Sequence, residues 1–291
     1  MSNTLQPAQL LLKWVQRQAA PNAFDWLSER MALIGIGQTS GLFMGFGLAA
    51  RKMGKADLEL SDVDLQAADG ARPGWNPAGW TLDQAARALL VLTAPSPEPA
   101  AYVALIDKLF VAAEMGELIA LYQTLPLLPY PEQHRFRAAE GIRNNIQGVF
   151  CAVAHRNPYP AEQLDEGMWN QLVVKCLFVG VPLHPVVGLD RRANPALSHI
   201  LIDLVHERRA AGRAVSPELW RVVAQAPVTG AVEEMAQTLA RGAAVEQAAV
   251  ALALASCPDE AASRVLQSRP DLAEQVARGD FSWEKISHGW A

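Results

Sequence analysis

Three groups of side chains have types and spacings that chemistry can use. The first is the run His155-Arg156-Asn157-Pro158-Tyr159-Pro160. An imidazole, a guanidinium, a carboxamide and a phenol lie within five positions there, a set that suits an oxygen-rich ligand, or proton transfer if a carboxylate such as Glu140 or Glu166 faces the imidazole. Arg137, Glu140, Asn144, Gly148, Cys151 and His155 recur three or four residues apart. On one continuous helix they share a face, which would bring Glu140 and Asn144 into line with His155. A structural reading stands beside this one. Proline disfavours helical geometry in the residue before it, so Asn157-Pro158 and Tyr159-Pro160 stop a helix, and His155 and Arg156 then sit where cations meet its terminal carbonyls. The run is thus either a rigid helix cap or the mouth of a pocket lined by His155, Arg156, Asn157 and Tyr159, with Glu140 and Asn144 as its wall.

The second group lies in the next helical segment, Asp165 to Val179, where Asn170 and Lys175 interrupt an apolar run that includes Trp169, all three being candidate ligand contacts. Apolar residues surround this segment, which predicts a buried helix, and buried polar groups need partners. Lys175 then either pairs with a carboxylate inside the fold or meets an anionic or oxygen-rich ligand. The third group is His199, Asp203 and His206. These fall within about 60° on one helix face and form a weak candidate for a divalent metal, against the plainer reading of a solvated polar face. No metal or other cofactor is expected. The phosphate-binding glycine loops, the nucleophile elbow and the HExxH motif are all missing from the sequence. Cys151 and Cys176 sit in apolar surroundings that favour an inert thiol. Trp75 and Trp80, in the turn WNPAGW, either anchor an apolar ligand or plug the end of a helical layer.

The elements that position these residues are helices. Apolar residues recur at helical spacing in Leu10, Leu11, Trp14 and Val15, again in Phe24, Leu27, Met31 and Ile34, and again in Phe136, Ala139, Ile142, Ile146, Val149, Phe150 and Val153, the last set predicting one long helix over 132–154. Start signals are frequent: Ser61, Thr81 with Gln84 three residues on, Asn194-Pro195 and Ser216-Pro217. A helical pair is expected over 99–125 with a joint at Gly116. Strand alternation and hairpin turns are missing. From Thr229 onward alanine dominates and short helices alternate with Gly242, Pro258, Pro270 and Gly279. The fold expected is all-α: irregular helical hairpins packed as an α-solenoid-like array, with 1–228 as the main domain and 229–291 as a repeat-like extension.

The chain of 291 residues carries a net charge of −5, which does not suit a general nucleic-acid binder. Three scattered cysteines do not suit a disulfide framework and fit a cytoplasmic setting. The N-terminal stretch MSNTLQPAQLLLKWVQRQAA reads as mature protein rather than a signal peptide, and glycines, prolines and charges break both long apolar stretches, so an integral membrane protein is not expected.

Several stretches carry a family resemblance: LAARKMGKADLELSDVDLQAADGARPGWNPAGWTLDQAAR, MGELIALYQTLPLLPYPE, RAAEGIRNNIQGVFCAVAHRNPYPAEQLDEGMWNQLVVKCLFVG and GLDRRANPALSHILIDLVHERRAAGRAVSPELWR. Over roughly residues 41–226 they resemble the EboA domain family of metabolite traffic proteins. The resemblance implies a place in a gene cluster that moves a small secondary metabolite from cytoplasm toward periplasm, beside a membrane prenyltransferase and other pathway enzymes as partners. It implies no catalytic residues. The reading that results is a non-catalytic binding or carrier protein for a partly apolar small molecule. Two alternatives stay open: an enzyme acting on a prenyl- or cyclitol-type metabolite, and a helical scaffold that recruits pathway enzymes.

Overall fold

The computed structural model describes residues 5–290; the first four residues of the N-terminal stretch read above lie outside them. Among the described residues there are 18 α-helices and no strand, and one isolated antiparallel bridge joins Asp57 to Thr81. The all-α expectation holds. The chain forms two compact units, Met1–Asp165 and Glu166–Ala291. This division differs from the change of packing placed at 228/229 from composition.

The first unit contains α1 (Leu5–Gln18), α2 (Pro21–Gly35), α3 (Thr39–Met53), α4 (Asp62–Ala71), α5 (Leu82–Thr93), α6 (Pro99–Ala112), α7 (Met115–Thr124), α8 (Arg135–Arg143), α9 (Gln147–Ala154) and the short α10 (Tyr159–Gln163). Local signals set several starts. Ser61 caps α4 by accepting from Asp64 N–H, and Gln84 accepts from Thr81 N–H at the head of α5. The α6–α7 joint falls at Ala113 and Glu114, two residues before the expected Gly116, because Glu117 accepts from Glu114 N–H and starts α7 there.

Helix α5 is the hub of this unit, with α1, α2, α3 and α7 packed around it. Ala85, Ala86, Ala88, Leu89, Leu90 and Val91 are all buried. Such a hub differs from a solenoid, in which each helix pair touches only its neighbours. Trp14, Trp75 and Trp80 pack together inside the unit. They are buried, with ring centroids 6.0 and 6.1 Å apart in succession, so both tryptophans of the WNPAGW turn point into the core. Trp14 Nε1 also donates to Asp64 at 2.8 Å. The Arg17 guanidinium beside Asp64 holds that carboxyl well below the usual carboxylate range.

The single helix expected over 132–154 is broken. A 3-10 turn covers Pro131–His134, α8 stops at Arg143, and α9 starts at Gln147 and packs back against α8. Two causes act together. Asn144 Oδ1 accepts from Ile146 N–H at 2.8 Å, a local turn that competes with helix continuation. Gly141 lets the hairpin close, because a Cβ there would lie 2.5 Å from Val153 Cγ2 and 2.7 Å from Tyr122 Cε1. With the helix broken, the stripe fails at its first residue and at the break: Phe136 is 64% exposed and Ile146 43% exposed. On an exposed helix Gly→Ala stabilises by about 1 kcal/mol. Gly141→Ala is expected to do the reverse and destabilise by about 1–3 kcal/mol through overpacking. A urea midpoint equal to or above wild type would contradict the close approach.

The second unit contains α11 (Glu166–Val179), α12 (Pro195–Ala210), α13 (Leu219–Gln225), α14 (Ala231–Arg241), α15 (Ala244–Ser256), α16 (Glu260–Gln267), α17 (Pro270–Ala277) and α18 (Trp283–Trp290). Its hub is α15, which α13, α14, α16, α17 and α18 all pack against. Buried Ala248, Ala249, Ala251 and Ala253 keep the surface of α15 shallow. The Glu218 carboxylate is buried and accepts from Leu183 and His184 N–H, which pins the connector before α12. Helix α11 is not buried on all sides: Phe178 is 59% exposed, Val179 48%, and Gln171 is also exposed. Its apolar composition overstated its burial, and the Arg208 guanidinium covers part of the exposed Phe178 ring at 5.9 Å.

Candidate functional site

The polar run after α9 is a knot of internal hydrogen bonds. Helix α9 ends at Ala154, His155 is its extended C-cap, and Arg156 takes a left-handed φ of 52° that turns the chain sharply. The turn delivers Asn157 into the interior. Asn157 Nδ2 donates to Tyr122 O and to Ala152 O, both at 3.0 Å, and Oδ1 accepts from Tyr159 N–H at 3.0 Å. Tyr159 is fully buried and its hydroxyl donates to Pro131 O. Burial pushes the Tyr159 phenol far up. One asparagine and one tyrosine thus tie α7, α9, α10 and the 131–134 turn together.

The other expected pocket residues of this unit differ in burial. Arg156 is exposed, and His155, Glu140 and Asn144 are half-buried. Because the helix breaks at 144–146, Glu140, Asn144 and His155 do not lie on one continuous helix. Glu140 pairs with Arg137 at 2.6 Å, and Arg137 in turn holds Asp107 at 2.7 Å. Asn144 is part of the turn that ends α8.

Trp169, Asn170 and Lys175 belong to the second unit. Asn170 is buried and exchanges hydrogen bonds with Asn194 at 2.9 and 3.3 Å, while Asn194 Oδ1 caps α12 by accepting from Leu197 N–H at 2.9 Å. Trp169 is fully buried with the Arg192 guanidinium 5.0 Å from its ring centroid. Lys175 is half-buried, and burial lowers its pKa. The carboxamides of Asn157 and Asn170 are therefore taken up by the fold itself. The weak metal candidate does not gather a ligand set among the described residues. The His206 ring bonds Glu234 Oε1 at 2.9 Å, and among the described residues no three His, Cys, Asp or Glu side chains are grouped to hold an ion.

Burial also moves the nucleophilic and phenolic groups away from reactivity. It pushes the Cys151 and Cys257 thiols up, and the Tyr122 phenol up to about 12. Tyr102 is raised further by the same cause.

An arginine-lined cleft of about 340 Å³ in the second unit was not anticipated. Helix α12 ends in a Schellman turn: Gly212 has φ 63°, Gly212 N–H bonds Arg209 O at 3.0 Å, and Arg213 N–H bonds Arg208 O at 2.8 Å. That turn brings Arg213 to the cleft that Arg209 and Arg241, the last residue of α14, also line. Arg209 reaches Glu234 at 2.7 Å and donates to the Thr238 hydroxyl at 2.6 Å, which fixes its guanidinium in the wall. Arg213 and Arg241 line the same cleft and, among the described residues, make no ion pair or side-chain hydrogen bond. Glu246, its one acidic lining residue, is turned to the head of α15, where it accepts from Ala243 N–H at 2.8 Å. A second cleft of about 160 Å³ shares Ala214 with the first and is lined mainly by apolar Leu177, Phe178, Leu204 and Leu219, with Arg208 at its side. The run of basic residues in HERRAAGRAV was a partial signal for this site. Arg241, far along the sequence, carried none.

A family model described as metabolite traffic protein EboA matches residues 7–224. No curated protein and no solved structure matches the chain.

Proposed function

The chain belongs to the EboA family of metabolite traffic proteins, and on that premise we propose that it binds a partly apolar small metabolite and carries or presents it without converting it. The family match over residues 7–224 is the observation that carries this reading. The chemistry of the side chains supports it. The carboxylates of Glu140 and Glu218 are held by Arg137 and by backbone N–H groups, and the half-buried Cys151 thiol and the buried Tyr122 phenol are pushed toward their protonated forms. Pathway enzymes, a membrane prenyltransferase among them, are the proposed recipients, and the cytoplasm is the proposed compartment. No helix of the described residues is long and apolar enough to cross a membrane, so delivery to a membrane enzyme would proceed by surface contact. The family match stops at residue 224, which supports reading 229–291 as an extension of the family domain.

Native mass spectrometry of the protein purified from its own host tests the proposal. The expected spectrum shows a co-purifying small molecule, released unchanged when the chain is denatured. A spectrum of the bare chain alone would remove the carrier reading, and release of a chemically altered molecule on incubation would replace it with catalysis.

A further inference from the structure

We infer that the two adjoining clefts of the second unit form one ligand site, with a phosphoryl-type oxyanion held by Arg213 and Arg241 and an apolar body lying against Phe178, Leu204 and Leu219. This names the ligand class for the binding role proposed above and rests on that reading only for the ligand's biological origin.

Charge is the first argument. The chain is net acidic at −5, yet two guanidinium groups on one cleft have no acidic partner among the described residues. The nearby acids are committed: Glu234 to His206 and Arg209, Glu246 to the head of α15. Arg213 and Arg241 thus keep their full donor capacity for a ligand. Guanidinium forks match the oxygens of a phosphoryl group in pairs, which an ammonium does not do. Arg209 contributes differently. Bound to Glu234 and Thr238, it is a fixed positive wall that needs no reorganisation when an anion arrives.

Size and shape are the second argument. The arginine cleft, at about 340 Å³, falls in the range of roughly 300–1,000 Å³ that small-molecule sites occupy. It exceeds what a bare phosphate fills. The neighbouring cleft adds apolar wall in the place where a ligand body leaving the head group would pass, by Ala214. The Phe178 ring, 59% exposed, stands in the wall of this second cleft and offers the ligand body an apolar face. The site also spans the edge of the family match. Arg209 and Arg213 lie within it, whereas Thr238 and Arg241 lie beyond residue 224, so the C-terminal helices complete the site.

Isothermal titration with inorganic phosphate and with n-octyl phosphate, below its micelle concentration and at low salt, tests the inference. The wild-type chain is expected to bind octyl phosphate at least about tenfold more tightly than inorganic phosphate, because burial of several methylenes adds to the same head-group interaction. Arg213→Gln with Arg241→Gln should weaken both ligands by about 100-fold, close to tenfold for each guanidinium removed. Phe178→Ser should bring octyl phosphate down to the affinity of inorganic phosphate. All three side chains are exposed, so thermal midpoints near wild type are expected and serve as the folding control. Absence of octyl phosphate binding to the wild type, or equal binding by the double variant, overturns the inference. So does octyl phosphate binding that Phe178→Ser leaves unchanged. The carrier role fails separately. A host metabolite retained equally by wild type and double variant removes the site but keeps the carrier. Arginine-dependent octyl phosphate binding with no host metabolite in either protein keeps the site and removes the carrier.

Discussion

Arg87→Met is expected to destabilise the first unit by about 3–5 kcal/mol, the usual consequence of removing one partner from a buried ion pair. Asp83 and Arg87 lie one helical turn apart on α5, both about 95% buried, with their charged groups in direct contact. Arg87 Nε also donates to Phe46 O at 3.0 Å, and its guanidinium lies 5.5 Å from the Phe46 ring centroid. The methionine fills the aliphatic volume but leaves the Asp83 carboxylate with only the Thr81 hydroxyl for company, and leaves Phe46 O without its side-chain donor. The cost is that of a stranded charge and does not measure the worth of the pair. The double variant Asp83→Leu with Arg87→Met should therefore recover most of the loss, because an apolar pair of similar volume needs no solvation. Urea melts of both variants decide the matter. A silent single variant would mean that water reaches Asp83, and a double variant as unstable as the single would mean that the pair itself, rather than the orphaned carboxylate, holds α3 to α5.

This pair shows which parts of the fold were legible in the sequence. Helix starts were readable because their partners lie within four residues: Ser61 with Asp64, Thr81 with Gln84, Asn194 with Leu197. The all-α class followed from periodicity for the same reason. The break at 144–146 was not readable, because its main cause is the space that Val153 and Tyr122 leave around Gly141, a tertiary fact. A periodic stripe that continues across two packed helices looks identical to one that runs along a single helix. The exposure of Phe178 was misjudged on α11 because composition cannot say which side of an apolar helix lacks a neighbour. The arginine cleft needed Arg213 and Arg241 brought together from the ends of two helices, and no local pattern links them. The knot at 155–160 was located from its prolines and capping residues, but its two readings differ only in where the Asn157 side chain points, which the packing of α7 decides.

Asn157→Ala discriminates between those readings. The carboxamide bonds Ala152 O, in the last turn of α9, where helices leave carbonyls without an intrahelical donor, and Tyr122 O, near the end of α7, which also accepts from Leu125 N–H. It also receives Tyr159 N–H, which starts α10. Alanine supplies none of these bonds, and the site is only 3% exposed, so water does not replace them freely. Stranded buried carbonyls cost about 1–3 kcal/mol each, reduced where another donor is near, which gives an expected loss of about 2–4 kcal/mol. For a chain of this length that is a fall in Tm of roughly 5–15 °C. Arg156→Ala, one residue earlier on an exposed side chain, should be nearly silent and controls for disturbance of the turn. Metabolite retention, measured by native mass spectrometry below the new midpoint, should survive Asn157→Ala, because the carboxamide faces two helix ends rather than a cleft. A variant that melts like wild type yet releases its metabolite would reverse the assignment, making Asn157 a ligand contact and the knot a pocket mouth.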